Sequence, residues 1–345
     1  MTGVHHPETA ALIELSARLG FDPLLVQGGA GNTSIKIGDV LWIKASGKWL
    51  ARAKQDDILI PLNLADVRCC IEQQDLCRVK YTSPGGKTLA PSIETAMHAV
   101  VPHRVTLHVH SVNTIAWAVR QDGPAQVAKR LSGLRWQWIP YTPSGLPLAL
   151  EVQKSFERMP DTQVLILANH GLVVSGDDCA DAEGVLREVE HRLNIAPRYA
   201  VPSNVDTLNA AIDGCDWQLP RLRHLHALGT DALSRVILAS GILYPCQAIF
   251  LGPMLPVLPP AISIPDAAEQ YAERYGVLPS FFVVEGAGVV ISNRMTRAEL
   301  ETLVGLVHVA QRIDAEAPIR YLTELELANL MKAEAIQYRE LVEKQ

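Results

Sequence analysis

Two histidines at i and i+2, His108 and His110 in VTLHVHSV, sit inside a β-branched run of this 345-residue chain. On a strand, alternate residues project from one face, so both imidazoles can reach one cation. Zinc and similar divalent ions favour imidazole nitrogen, and a catalytic site takes three protein ligands while keeping a position open. His170, in Asn169-His170-Gly171, interrupts an otherwise apolar run and supplies a third. A lone histidine in such a run is more often a hydrogen-bonded core residue; three in one half of the chain favour a metal. The sequence also holds a control. His224 and His226 share the spacing but lie in RLRHLHALGTDALSRVI, which reads as helix, where the two rings diverge by about 200°. That pair reads as surface, as do His5, His6 and His103.

Glu94, in Pro91-Ser92-Ile93-Glu94, is the acidic candidate, with His98 one helical turn later. An i, i+4 Glu–His pair is either a solvated or structural contact, or a general base or extra metal ligand. Gly28-Gly29-Ala30-Gly31-Asn32-Thr33 could cradle an anion through backbone N–H groups. It fails the dinucleotide fingerprint, because Ser34 stands at the third glycine position and no helix follows directly, and it lacks the Gly-Lys pair of a P-loop. Ser46-Gly47-Lys48 adds a hydroxyl, a permissive backbone and a positive charge. For either stretch alone, a plain hairpin turn is the competing reading.

These residues need positioning elements. Residues 7–20 place Ala11, Leu12, Leu15 and Leu19 on one helical face. Thr33–Ile37 and Val40–Ala45 form a hairpin about Gly38-Asp39, and a third strand lies near Ile58–Pro61. Helices follow at Ser92–Val101 and Val112–Arg120, flanking the strand run from Val105. Val164–Val174 reads as a buried strand and Asp177–Arg192 as an amphipathic helix. The mix favours a layered α/β domain over a regular doubly wound one. The turn-rich stretch Pro197–Thr207 is the boundary, giving residues 1–203 as a catalytic domain and 204–345 as a smaller α/β companion. The companion reads as one helix over Arg221–Ser240, a strand at Gln247–Leu251, a helix at Asp266–Tyr275, a strand and two more helices. Phe281–Asn293 weakly repeats Val164–Gly176, with Ala287 where His170 stands, so a repeat here would lack the metal site.

Composition narrows the class. Hydrophobic residues make up 48% and charged residues 20%, ample for folded cores and against wholesale disorder. The net charge of −6 argues against a nucleic-acid partner. The longest apolar stretch, near 248–265, is broken by Pro253, Pro256, Pro259, Pro260 and Pro265, so no membrane span is expected. The start has no basic or apolar leader region, and the six cysteines (Cys69, Cys70, Cys77, Cys179, Cys215, Cys246) include no CxxC pair. Reduced thiols and a cytoplasmic location are expected.

The ordered set GGAGNTS, IKASG, PSIETAMH, LHVHS and LANHGLVVSG resembles the class II aldolase/adducin family over roughly residues 8–200. The turns and the tail YLTELELANLMKAEAIQYRE are most similar to the aldolase half of bifunctional rhamnulose-phosphate aldolase/dehydrogenase proteins; no nucleotide-binding fingerprint follows. The resemblance implies an α/β/α layered sandwich around a mixed, largely antiparallel sheet. It implies that His108, His110 and His170 bind zinc, with Mn2+ or Co2+ as substitutes, and that Glu94 ligates the resting metal and serves as acid/base. Gly31, Asn32, Thr33, Ser46, Gly47, Lys48 and Ser92 are the candidate phosphate-binding residues, of which the resemblance itself points to Asn32, Ser46, Gly47 and Ser92. Ile93 departs from the family's second serine, and the glutamate at 94 argues against an epimerase. Some aldolases take an acid tyrosine from a neighbouring subunit; Tyr141 is a weak stand-in. A homo-oligomer, tetramer or dimer, is implied, although the extra domain sets that symmetry in doubt.

The expected activity is therefore cleavage of a ketose phosphate to dihydroxyacetone phosphate and an aldehyde through a metal-stabilised enediolate. Two alternatives stand beside it. One is decarboxylation of a 3-oxo sugar-acid phosphate by the same site; the other is a non-catalytic, adducin-like assembly module.

Overall fold

Every residue of Val105–Val109, Val164–Leu167 and Gly171–Gly176 is buried, so these central strands bury side chains on both faces of one sheet. The computed structural model describes residues 6–76, 89–259 and 262–343; His5, Cys77 and Pro260 fall outside them. The first half comprises α1 (Thr9–Phe21), β1 (Asn32–Ile37), β2 (Val40–Lys44), β3 (Leu59–Asn63), α2 (Leu64–Glu72), α3 (Thr95–Val100), β4 (Val105–Val109) and α4 (Val112–Ala118). It continues with α5 (Gly123–Arg130), β5 (Trp136–Ile139), α6 (Leu146–Arg158), β6 (Val164–Leu167), β7 (Gly171–Gly176) and α7 (Cys179–Leu193). The second half comprises α8 (Val205–Ile212), β8 (Trp217–Gln218), α9 (Ala227–Thr230), α10 (Ala232–Ala239), α11 (Pro245–Leu251) and α12 (Ile264–Tyr275). Then come β9 (Phe281–Val284), β10 (Gly288–Ser292), α13 (Arg297–Ala310), α14 (Glu324–Leu330) and α15 (Ala333–Glu343).

Seven strands run in the order β3-β2-β1-β4-β7-β6-β5, antiparallel except for the parallel β5–β6 pair. One face buries Val105, Leu107, Val109 and Val174 under α1, α4, α5 and α7. The opposite face buries Leu41, Ile43, Leu165 and Val173 under α2, α3 and α6. This is the expected α/β/α sandwich with a largely antiparallel sheet. A smaller sheet, β8-β10-β9, forms in the second half with α8 and α12 on one side. Its other face packs into a third core that also takes Ala30, Trp49, Val112, Ile115 and Val119 from the first half.

Several expectations are corrected. Val164–Val174 is a hairpin, β6–β7, because Asn169 adopts a left-handed φ of 51° that turns the chain. Arg221–Ser240 is broken: a tight 3-10 turn over Arg223–His226 precedes α9, and Asp231 caps α10 by accepting from Leu233 N. Gln247–Leu251 is helical. Pro245 starts α11 at a position that needs no N–H donor, and Cys246–Leu251 are all buried, so no apolar stripe marks the helix. Three helices follow β10, where two were expected. The β-strand near Ile58–Pro61 begins at Leu59, and α3 begins only at Thr95. His226 is buried and accepts from Val289 N at 3.1 Å, while exposed His224 stacks on His308. His103 is half-buried, 2.9 Å from Ser175 Oγ.

Candidate active site

The register of the sheet brings the chemistry together. Asn32 on β1 pairs across to His108 on β4, and β4 pairs in turn with β7, whose leading turn carries His170. Gly31, at φ 68°, allows this approach: a Cβ there would lie 2.8 Å from the His108 carbonyl oxygen. His108, His110 and His170 are all buried, with ring centroids 4.9–5.3 Å apart. Their ligand nitrogens lie within 4.8 Å of one another.

Glu94 sits at the start of α3 and turns its carboxylate inward instead of capping the helix. Oε1 is 3.3 Å from His170 Nε2, and Oε2 is 3.4 Å from His108 Nε2. Asn32 Nδ2 donates to Oε2 at 2.7 Å, and Ser144 Oγ donates to Oε1 at 3.4 Å. His98 N donates to Glu94 O at 3.2 Å, but its imidazole does not meet the carboxylate. It bridges Ser34 Oγ, at 2.7 Å from Nδ1, to Asn32 Oδ1, completing a chain Ser34–His98–Asn32–Glu94.

Burial alone would raise the Glu94 carboxyl; the neighbouring His108 and His170 rings, the Asn32 amide hydrogen bond and the His110 ring outweigh it and hold it at about 2. Burial brings the His170 imidazole down to about 4 and drives His110 well below its ordinary value. Both rings therefore offer a neutral lone pair at pH 7, the state a cation requires. His108 Nδ1 faces Leu172 O at 3.0 Å, while its buried Nε2 has no hydrogen-bond partner among the described residues. An orphaned nitrogen beside two further imidazoles and a carboxylate fits a divalent ion of the zinc type.

His98 yields a stability prediction. Burial is the main cause that lowers its pKa from 6.5 to about 3, so the unfolded chain binds the proton more readily between those values. Folding stability is then complete above about pH 6.5 and falls as pH drops toward 3, by up to ~1.4 kcal/mol per pH unit. Urea unfolding of metal-free protein at pH 7 and pH 5 should show this loss, and His98→Gln should reduce it by the share of one imidazole, the buried His110 and His170 supplying the rest.

A cavity of about 400 Å³ opens over this cluster. Asn32, Ser46, Ser92, Glu94, His110 and His170 line it, together with Gly29 and Gly31. Thr33, Gly47 and Lys48 do not, contrary to expectation. Strand alternation turns Thr33 to the far face, where its hydroxyl meets Ser16 Oγ at 2.7 Å. Gly47 is packed against α15, so that a Cβ would lie 2.6 Å from Leu341 Cβ. The Ser46 N–H is spent on Ala90 O. Lys44, which the sequence reading passed over for Lys48, lines the cavity instead. Its Nζ donates to Gly29 O at 3.1 Å, and burial lowers it to about 7, with Glu94 opposing. The available signal was a lysine closing an apolar strand directly before Ala45-Ser46-Gly47.

Sequence reasoning also missed the far wall. Cys246, Glu326, Asn329, Gln337, Tyr338 and Leu341 come from the second half of the same chain. Tyr141 lines the cavity too; burial and then Glu326 raise its phenol to about 12, with Arg320 over the ring. Burial, Cys246 and Glu94 push Tyr338 well above its ordinary value. Both phenols are protonated at neutral pH. A second cavity, of about 350 Å³, is lined by Arg18, Asp22, Glu183 and Glu190 and carries no such cluster.

The model of the class II aldolase and adducin N-terminal domain matches residues 10–196. The uncharacterized oxidoreductase YuxG of Bacillus subtilis (strain 168) is 28% identical over 202 residues, covering 53% of this chain. The match spans 29% of that protein's length. Among solved structures, the N-terminal class II aldolase domain of a conserved protein from Thermoplasma acidophilum is 24% identical with a TM-score of 0.48, covering 56% of this chain and 94% of that one. A sugar-phosphate aldolase from Thermotoga maritima is 16% identical with a TM-score of 0.41, covering 54% and 92%.

Proposed function

Because the chain belongs to the class II aldolase and adducin family, we propose that it is a divalent-metal-dependent aldolase cleaving a ketose phosphate to dihydroxyacetone phosphate and an aldehyde. One observation carries this reading: three buried imidazoles converge beside Glu94, and Glu94, His110 and His170 line a cavity large enough for a sugar phosphate, with His108 behind them. An assembly module has no use for such a buried, unneutralised set. His108, His110 and His170 would hold the ion, zinc first. When bound, the ion would act as a Lewis acid on the substrate's carbonyl and hydroxyl oxygens, favouring the negative charge that develops on cleavage.

The chain's own groups handle the protons. As the carbon–carbon bond breaks, the hydroxyl on the aldehyde side loses its proton and the carbon on the ketone side gains one. Glu94, ionised at neutral pH, would take the hydroxyl proton and, once protonated, return it to the carbon. Held at about 2 by its neighbours, it is a weak base until substrate separates it from them. Tyr338, facing the same cavity and protonated at neutral pH, would donate a hydrogen bond to that hydroxyl oxygen. Asn32 and Ser144 fix the carboxylate. Residues 1–203 act as the catalytic unit, and 204–345 as a companion that covers it.

Ser46, Ser92 and Lys44 form the polar end for the phosphate. Ionised hydrogen bonds of this kind contribute ~1.5–3 kcal/mol each. Lys44→Gln should raise KM for a phosphorylated ketose by ~10–100-fold while kcat stays within a few-fold. An unphosphorylated ketose should be cleaved equally by both proteins. The reading itself is tested by supplying zinc to the purified chain and following release of dihydroxyacetone phosphate from ketose 1-phosphates. Carbon dioxide released from a 3-oxo acid phosphate, with no ketose cleavage, would replace it.

A further inference from the structure

We propose that one short brace in the second half of the chain, Leu243–Cys246 with Arg320, positions two of the three imidazoles for the ion. This rests on the reading of those imidazoles as ligands, but the residues concerned lie beyond residue 196, where the family match ends.

Cys246 stands in the first turn of α11, buried and facing the cavity. Its Sγ is 3.5 Å from His110 Nδ1, within reach of a sulfur hydrogen bond. With the ring N–H directed at sulfur, the lone pair falls on Nε2, the atom left for a cation. His108 is fixed in the same sense, its Nδ1 facing Leu172 O. A partner on the far nitrogen sets both tautomer and ring orientation of a ligating histidine. Here that partner is a thiol on His110.

Three residues earlier, the same segment reaches His170. Asn169 Nδ2 donates to Leu243 O at 2.8 Å and to Arg320 O at 2.7 Å, and Asn169 Oδ1 accepts from Arg320 Nη1 at 3.0 Å. The side-chain amide of the left-handed residue next to His170 is thus met from the second half, while its backbone N–H donates to Ala118 O. The brace is itself anchored: Leu243 N donates to Gln247 Oε1, and Arg320 N donates to Val119 O. Cys246 is a positioning residue in this scheme, touching the ligand and not the ion.

The test uses the full chain, wild type, Cys246→Ala, Cys246→Ser and Arg320→Gln, with exposed-thiol control Cys69→Ser. Zn2+ affinity is read by competition with a chromophoric chelator, and the Co2+-loaded proteins by absorption. Cys246→Ala and Arg320→Gln should bind Zn2+ ~10–100-fold more weakly, with Cys246→Ser recovering part of the loss and Cys69→Ser unchanged. Melting of the metal-free variants near the wild-type temperature separates this from unfolding. The Co2+ ligand-field bands should shift in Cys246→Ala, with no sulfur-to-cobalt charge-transfer band in the wild type. Wild-type affinity in both Cys246→Ala and Arg320→Gln would overturn the brace alone. So would a charge-transfer band lost in Cys246→Ala, which would make the thiol a ligand. A wild-type chain that takes up neither Zn2+ nor Co2+ would overturn the aldolase reading and the brace together.

Discussion

Replacing His108 with alanine should remove the bound ion and abolish turnover while the fold survives. The side chain is fully buried, and its polar contacts are one backbone carbonyl and Glu94, beside the His110 and His170 rings. Loss of a buried side chain of this size costs ~1–3 kcal/mol against a total stability of ~5–15 kcal/mol. Function suffers far more. Two imidazoles make a poor site for zinc, and the loss of a single electrostatic stabiliser alone costs ~10²–10³ in rate. Metal content should fall from ~1 ion per chain to near zero, with cleavage reduced beyond ~10³-fold and the circular dichroism spectrum unchanged. A variant that keeps both its metal and its activity would remove His108 from the site.

Glu94→Gln tests a different function of the same cluster. The amide keeps the shape, and its oxygen can still accept from Asn32 Nδ2, but the group can no longer exchange a proton. A loss of ~10²–10⁴ in kcat is expected, with KM within a few-fold. The three imidazoles remain, so metal should still be found in the purified variant, at lower affinity. This separates proton transfer from metal binding: the His108 variant loses both, the Glu94 variant mainly one. Since its neighbours hold the carboxyl well below its ordinary value, its protonation should not limit cleavage at neutral pH. Full activity in Glu94→Gln would reassign the proton transfer.

The sequence showed best what depends on local periodicity. A strand places His108 and His110 on one face whatever surrounds it, and the helical setting of His224 and His226 set them apart. The layered α/β class followed from the mix of strands and helices, while the sandwich and its largely antiparallel sheet were implied by the family resemblance. Burial of His226 was not readable, because the 3-10 turn that directs it inward forms against β10, far along the chain. Lys44 was missed because a lysine usually ends a strand in solvent; here the wall that buries it comes from the second half. α11 passed for a strand because a helix buried on every side shows no 3.6-residue stripe. Cys246 and Ser144 carry no motif, Tyr338 lies in the quoted tail with nothing to mark it as a site residue, and only tertiary packing brings the three to Glu94.

The hydrogen bonds between Asn169 and Arg320 span 151 residues of sequence. At a synthesis rate of ~5–20 residues per second, Asn169 leaves the ribosome roughly 8–30 s before its partner. During that interval the three histidines already exist, while the cavity's far wall does not. Whatever ion first meets the nascent chain therefore meets a looser set of ligands than the finished protein offers. Selection among competing ions should be poorest during translation and sharpest after release, so the metal recovered from cells will record the order of synthesis as well as equilibrium affinity.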